Sequence, residues 1–126
     1  MSKLLIVDDE IDIREFAKSF FTKRDIEVLT ASGGNEALKI INEHKPDLVL
    51  LDVQMEEIGG IEVLKKLRNE KNNVRVIMVT GTEDPSVIDE ANSLGVKGYV
   101  HKPLVLEELE KIVLFELDKS SAHREN

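Results

Sequence analysis

A chain of 126 residues, 41% of them hydrophobic, is the size of one domain and can bury one core, which with no Trp and 4% aromatics must be built from Leu, Ile and Val. The net charge of −8, with no basic face or tail, argues against a nucleic-acid partner and against docking on anionic lipid. Without Cys there are no disulfides or thiolate metal sites, and no apolar run approaches the ~20 residues that span a bilayer, so a cytoplasmic domain away from membranes is expected.

Short apolar runs alternate with longer amphipathic ones. Met1-Ser2-Lys3 leads straight into the first strand-like segment, Leu4–Val7, so no signal peptide is expected. Asp8, Asp9 and Glu10 follow it. Ile13, Phe16, Ala17 and Phe20 then recur at i, i+3, i+4 and i+7, the period of a helix with one apolar face. Glu27–Thr30 reads as the second strand. Ala37, Leu38 and Ile41 mark the second helix, with His44 at its end before Lys45-Pro46. The run Leu48–Leu51 is the third strand and stops at Asp52. Ile61, Leu64 and Leu67 mark the third helix. The fourth strand, Arg75–Thr80, ends at Gly81. Asp84-Pro85 then supplies an N-cap and a first-turn proline for the fourth helix, marked by Val87, Ala91 and Leu94. Gly98–Val100 is the fifth strand, followed by His101, Lys102 and Pro103. Leu106, Leu109, Ile112 and Val113 mark the fifth helix. Leu114 and Phe115 fall off its apolar face, as ordinary exposed hydrophobes or as a partner surface. The domain is expected over 1–118, with 119–126 a frayed tail.

Three of the strands are apolar on both faces, as in a parallel sheet covered by helices on each side. Five strand–helix units in strict alternation predict a doubly wound α/β domain, flavodoxin-like, with strand order 2-1-3-4-5. The first strand is then central, and its carboxyl end neighbours that of the third, where such sheets bind ligands.

That edge collects Asp8, Asp9, Asp52, Thr80 and Lys102. Taken singly, each has an ordinary explanation: a turn acid, a strand-end Thr, a solvated Lys. Together they suit phosphoryl transfer. Gathered carboxylates repel one another unless a cation sits among them, and Mg²⁺ takes carboxylates with waters and phosphate oxygens. A carboxylate can attack phosphorus to form an acyl phosphate. A metal, an ammonium and a hydroxyl then neutralise the equatorial oxygens. Gly81 would let the chain approach closely there.

These residues, in order, resemble the receiver domain of two-component response regulators, of the single-domain chemotaxis type. The resemblance runs from Leu5-Ile6-Val7-Asp8-Asp9-Glu10 through Lys45-Pro46-Asp47-Leu48-Val49-Leu50-Leu51-Asp52 and Val79-Thr80-Gly81 to Gly98-Tyr99-Val100-His101-Lys102-Pro103. It implies that Asp52 is the phosphoacceptor and that Asp8, Asp9, Asp52 and the backbone carbonyl of Gln54 hold Mg²⁺. It makes Thr80 the switch hydroxyl, Lys102 the partner of the phosphoryl group, Tyr99 the aromatic that turns inward, and Lys102–Pro103 a cis bond. The implied donor is a sensor histidine kinase or a histidine phosphotransfer protein. The output is binding to a downstream protein through the fourth helix, fifth strand and fifth helix, a face that could also form a homodimer. Such a domain catalyses only its own phosphorylation and slow dephosphorylation and has no separate substrate.

One departure from the family pattern is Glu56, where Pro is usual; Gly59-Gly60 closes that loop, and Glu56 and Glu57 read as exposed loop acids. Gln54 and Thr82 should flank the mouth of the site and set how fast water reaches the acyl phosphate. Three rivals fit less well. A phosphatase with an Asp nucleophile would need a second Asp where Gln54 stands. A nucleotide-binding module would need Gly-x-Gly-x-x-Gly where Asp8-Asp9-Glu10 stands. A scaffold that has lost phosphorylation would not need the whole set of site residues.

Overall fold

The three central apolar runs become strands buried on both faces, and the two outer ones pair along their edges and are only partly covered. In a computed structural model, which describes residues 2–125 and side chains through 119, they are β1 (Lys3–Val7), β2 (Glu27–Ala31), β3 (Leu48–Asp52), β4 (Arg75–Thr80) and β5 (Gly98–His101). Between and after them run α1 (Ile11–Thr22), α2 (Gly34–His44), α3 (Gly60–Asn69), α4 (Pro85–Ser93) and α5 (Leu106–Glu125). The sheet is parallel in the order β2-β1-β3-β4-β5, the order expected from the alternation. Each expected strand is recovered to within one residue at its ends, and β3 includes Asp52, opposite Val79. The tail expected over 119–126 falls mostly on residues whose side chains lie outside the described ones.

Period-two alternation splits the core in two. Leu4, Ile6, Leu48, Leu50, Ile77 and Val79 pack on one face against Ala17 and Phe21 of α1 and Leu109, Val113 and Leu117 of α5. Leu5, Val7, Val49, Leu51, Val76 and Met78 pack on the other against α2, α3 and α4. Register aligns Val7 with Leu51, Leu51 with Met78, and Met78 with Tyr99, so the carboxyl ends of four strands arrive level.

The expected face of α1 is rotated. Phe16 is 60% exposed, whereas Phe21 is fully buried. The buried stripe is centred on Ala17, with Phe20 and Phe21 meeting edge to face on its flank. At about 100° per residue, Phe16 lies roughly a quarter turn from Ala17, on the side away from Phe21. The sequence pattern included it because its spacing to Ile13 and Phe20 also fits a helical face.

The loop after β3 ends where α3 packs on the strand's own backbone. A Cβ on Gly60 would come within 2.3 Å of the Asp52 carbonyl oxygen. Gly60 N–H instead donates to the Val53 carbonyl at 3.0 Å. Glycine is required here by close approach, and that approach seats Asp52 against the start of α3.

Candidate functional site

Adjacent, in-register β1 and β3 bring Asp8 and Asp52 to neighbouring positions at the carboxyl edge. Both carboxylates are almost fully buried, at 2% exposure each. Lys102 reaches them from the far side of β4. Its backbone N–H donates to the Thr80 carbonyl at 2.8 Å, which ties the end of β5 to that of β4. Its ammonium then lies 3.2 Å from Asp8 Oδ2 and 3.2 Å from Asp52 Oδ2. The Lys102–Pro103 peptide is cis.

The electrostatics of this trio follow from its burial. Desolvation pushes the Asp52 carboxyl above its ordinary value, and the charge of Asp8 pushes it further. Lys102 and the Gln54 N–H, 3.2 Å from Asp52 Oδ1, oppose the rise without cancelling it. For Lys102, burial alone would lower the value, but Asp52 and Asp8 together outweigh it and hold the ammonium above its usual range. Asp52 is therefore a carboxylate short of positive charge.

A divalent cation fits that shortage. Oxygens of Asp8, Asp9 and Glu10 lie within 4.8 Å of one another, with Asp8 buried and the other two exposed. Hard carboxylate oxygens around one open side suit Mg²⁺, which keeps part of its water shell. Of the expected ligands, the geometry joins Asp8 to Asp9 directly and to Asp52 through Lys102. Glu10 belongs to the same acidic group although it was not among the expected ligands, and Gln54 meets Asp52 through its N–H.

Thr80 is buried at 1% exposure, one residue beyond Val79, the cross-strand partner of Asp52. Its Oγ1 accepts from Thr82 N–H at 2.9 Å, and Thr82 Oγ1 accepts from Asp84 N–H at 3.1 Å. Asp84 caps α4 by accepting from Ser86 N–H at 2.9 Å, with Pro85 in the first turn, as the sequence predicts. The loop from β4 to α4 is thus a ladder of side-chain bonds that starts at the site. A Cβ at Gly81 would meet no protein atom within 4 Å. No part of the chain comes close enough to demand glycine.

Tyr99 is half-buried on the α2–α3–α4 side, and its hydroxyl donates to the Ile88 carbonyl of α4. His44 is the exposed last residue of α2, and His101 is exposed at the end of β5. Glu56 and Glu57 are exposed and share a recess of about 330 Å³ with Asp9, Ser32 and Gly33. On the other side, α1 and the loop after β5 flank an apolar groove of about 640 Å³ that runs past Phe16 and Leu104 to Lys102. The sequence reading also passed over Arg14, whose Nη1 donates to the Asp8 carbonyl at 2.7 Å. A guanidinium directed at a main-chain oxygen leaves no pattern in a sequence. A buried carboxylate flanked by an ammonium and a cation-sized acidic cluster can act as a nucleophile toward phosphorus while its surroundings neutralise the transferred group.

A family model for the response regulator receiver domain matches residues 4–114. Sporulation initiation phosphotransferase F of Bacillus subtilis (strain 168) is 36% identical over 111 residues, covering 88% of this chain and 90% of that protein. The chemotaxis protein CheY of Listeria monocytogenes is 38% identical over 116 residues, covering 88% and 98%. Other relatives are longer, and the chain spans 27–51% of their length. Among solved structures, the response regulator protein TrrA of Thermotoga maritima, in complex with Mg²⁺-BeF, superposes with a TM-score of 0.82 at 33% identity, covering 93% of this chain and 100% of that one.

Proposed function

Because the chain belongs to the response regulator receiver domain family, we propose that Asp52 accepts a phosphoryl group from a sensor histidine kinase or a histidine phosphotransfer protein, with Mg²⁺ bound beside it. The observation that carries this reading is the single ammonium of Lys102 held 3.2 Å from both buried carboxylates. Asp52 Oδ attacks phosphorus as the donor's bond breaks. Asp8, Asp9, Asp52 and the Gln54 carbonyl would hold Mg²⁺, which would supply charge neutralisation. Lys102 transfers its contact from Asp52 to a phosphoryl oxygen. Gln54 and Thr82 stand at the mouth and set water's access to the acyl phosphate.

The output is a switch. A phosphoryl group adds about 1.5–2 negative charges and new acceptor oxygens. Thr80 exchanges its bond with Thr82 N–H for one donated to the phosphoryl group, which unfastens the ladder into α4. Tyr99 releases the Ile88 carbonyl and turns into the space vacated, so that the α4–β5–α5 face changes for a downstream protein or a second copy of the chain. The phosphoryl group shifts this balance only through its different affinity for the two states, and going from 1:99 to 99:1 takes ~5.5 kcal/mol. The domain has no substrate apart from its own phosphoryl donor. Among the described residues no helix is long and apolar enough to cross a membrane. A cytoplasmic setting is part of the proposal.

Amide resonances test the reading. Mg²⁺ with beryllofluoride, a phosphoryl mimic, should shift Asp52, Thr80 and Lys102 together with α4 and Tyr99. Shifts confined to Asp8–Glu10, or none at all, would contradict it.

A further inference from the structure

Asp8 is held at every polar group it has. Its N–H donates to the Ala31 carbonyl at 3.2 Å. Its carboxylate accepts from Glu10 N–H at 2.9 Å and from Lys102 at 3.2 Å. Its carbonyl accepts from Arg14 Nη1 at 2.7 Å. This last bond fixes the Asp8–Asp9 peptide plane. The plane in turn sets where the Asp9 and Glu10 carboxylates start from, and both contribute to the oxygen group within 4.8 Å. Arg14 bonds a main-chain oxygen, so this bond takes up none of the carboxylate oxygens of the three acids.

We propose that Arg14 is a positioning residue for the Mg²⁺ site: by tethering the Asp8 carbonyl it keeps Asp8, Asp9 and Glu10 converged before the ion arrives. The inference rests on the Mg²⁺-dependent reading of the site. Two effects of Arg14 have opposite signs. Its charge repels a dication, so loss of charge alone tightens Mg²⁺ binding. Its tether preorganises the ligands, so loss of the tether weakens binding. Partners that orient metal ligands commonly carry about 10–100-fold in affinity.

The test is calorimetric titration of the full chain with Mg²⁺ alone, in parent, Arg14→Gln and Arg14→Lys forms, with melting in chelator followed by circular dichroism. Arg14→Gln should weaken Mg²⁺ about tenfold while still melting well above the titration temperature. Arg14→Lys keeps the charge but loses the planar fork, and should weaken it in the same direction. This second variant also carries the comparison if Arg14→Gln does not fold. Equal or tighter binding by folded Arg14→Lys, in which the charge is kept and only the fork is lost, overturns the tether and leaves the Mg²⁺ site standing. Absence of Mg²⁺ binding by the parent chain overturns the metal site itself and the inference with it.

Discussion

Asp52 carries a carboxyl that the folded chain, through burial and Asp8, holds above its ordinary 3.8. An acid with a raised value favours the folded state when protonated and disfavours it when ionised. The resulting cost is absent below pH 3.8, grows as pH rises through the folded-state value, and is complete above it. Asp52→Asn keeps an oxygen for the Gln54 N–H and removes the charge. It should therefore melt higher than the parent at neutral pH in chelator, with the difference fading as pH falls toward 3.8, as calorimetry across pH would show. A lower melting temperature at neutral pH would contradict the charge-strained site. At this scale the sequence was legible where chemistry-bearing side chains stand at strand ends, as with Asp8, Asp52, Thr80 and Lys102. It was not legible where the partner is main chain, as with Arg14 on the Asp8 carbonyl.

Helix α3 is tied to its neighbours at its far end by one side chain. Arg68 Nε donates to the Leu94 carbonyl at 2.7 Å, and its Nη1 donates to the carbonyls of Asn72 at 2.9 Å and Val74 at 3.0 Å. The guanidinium fastens the end of α3 to the loop before β4 and to the residue that caps α4. Burial lowers its affinity for protons, yet three carbonyls hold it in place. Arg68→Ala strips those oxygens of their donor and should cost about 1–3 kcal/mol in urea unfolding. A loss under about 0.5 kcal/mol, the usual range for surface changes, would show that water replaces the clamp. No periodicity announces Arg68, since its partners are carbonyls at three separate positions. Periodicity did locate every strand and helix, because doubly covered strands read as unbroken apolar runs. It misplaced the face of α1, where Phe16 shares a helical spacing with Ile13 and Phe20 but tertiary packing buries the face that carries Ala17 and Phe21.

For the molecule as a whole, strict strand–helix alternation allowed few topologies, and the order with β1 central is the one that brings the acids of β1 and β3 together. The surface opposite in role to the site is less legible. Leu114 and Phe115 stand out from α5 at 42% and 58% exposure, with the Lys119 ammonium 4.4 Å from the Phe115 ring centre. If this face pairs two phosphorylated copies, Mg²⁺-beryllofluoride should advance the elution of the parent chain, and Phe115→Ser should abolish the advance. Identical elution of the two proteins under both conditions would remove the face from that role. The central claim concerns Asp52 and is read most directly by intact mass after incubation with a small phosphodonor, with and without Mg²⁺. The account predicts a gain of one phosphoryl group that requires Mg²⁺ and is absent in Asp52→Ala. No gain in the parent, or the same gain in Asp52→Ala, would contradict it.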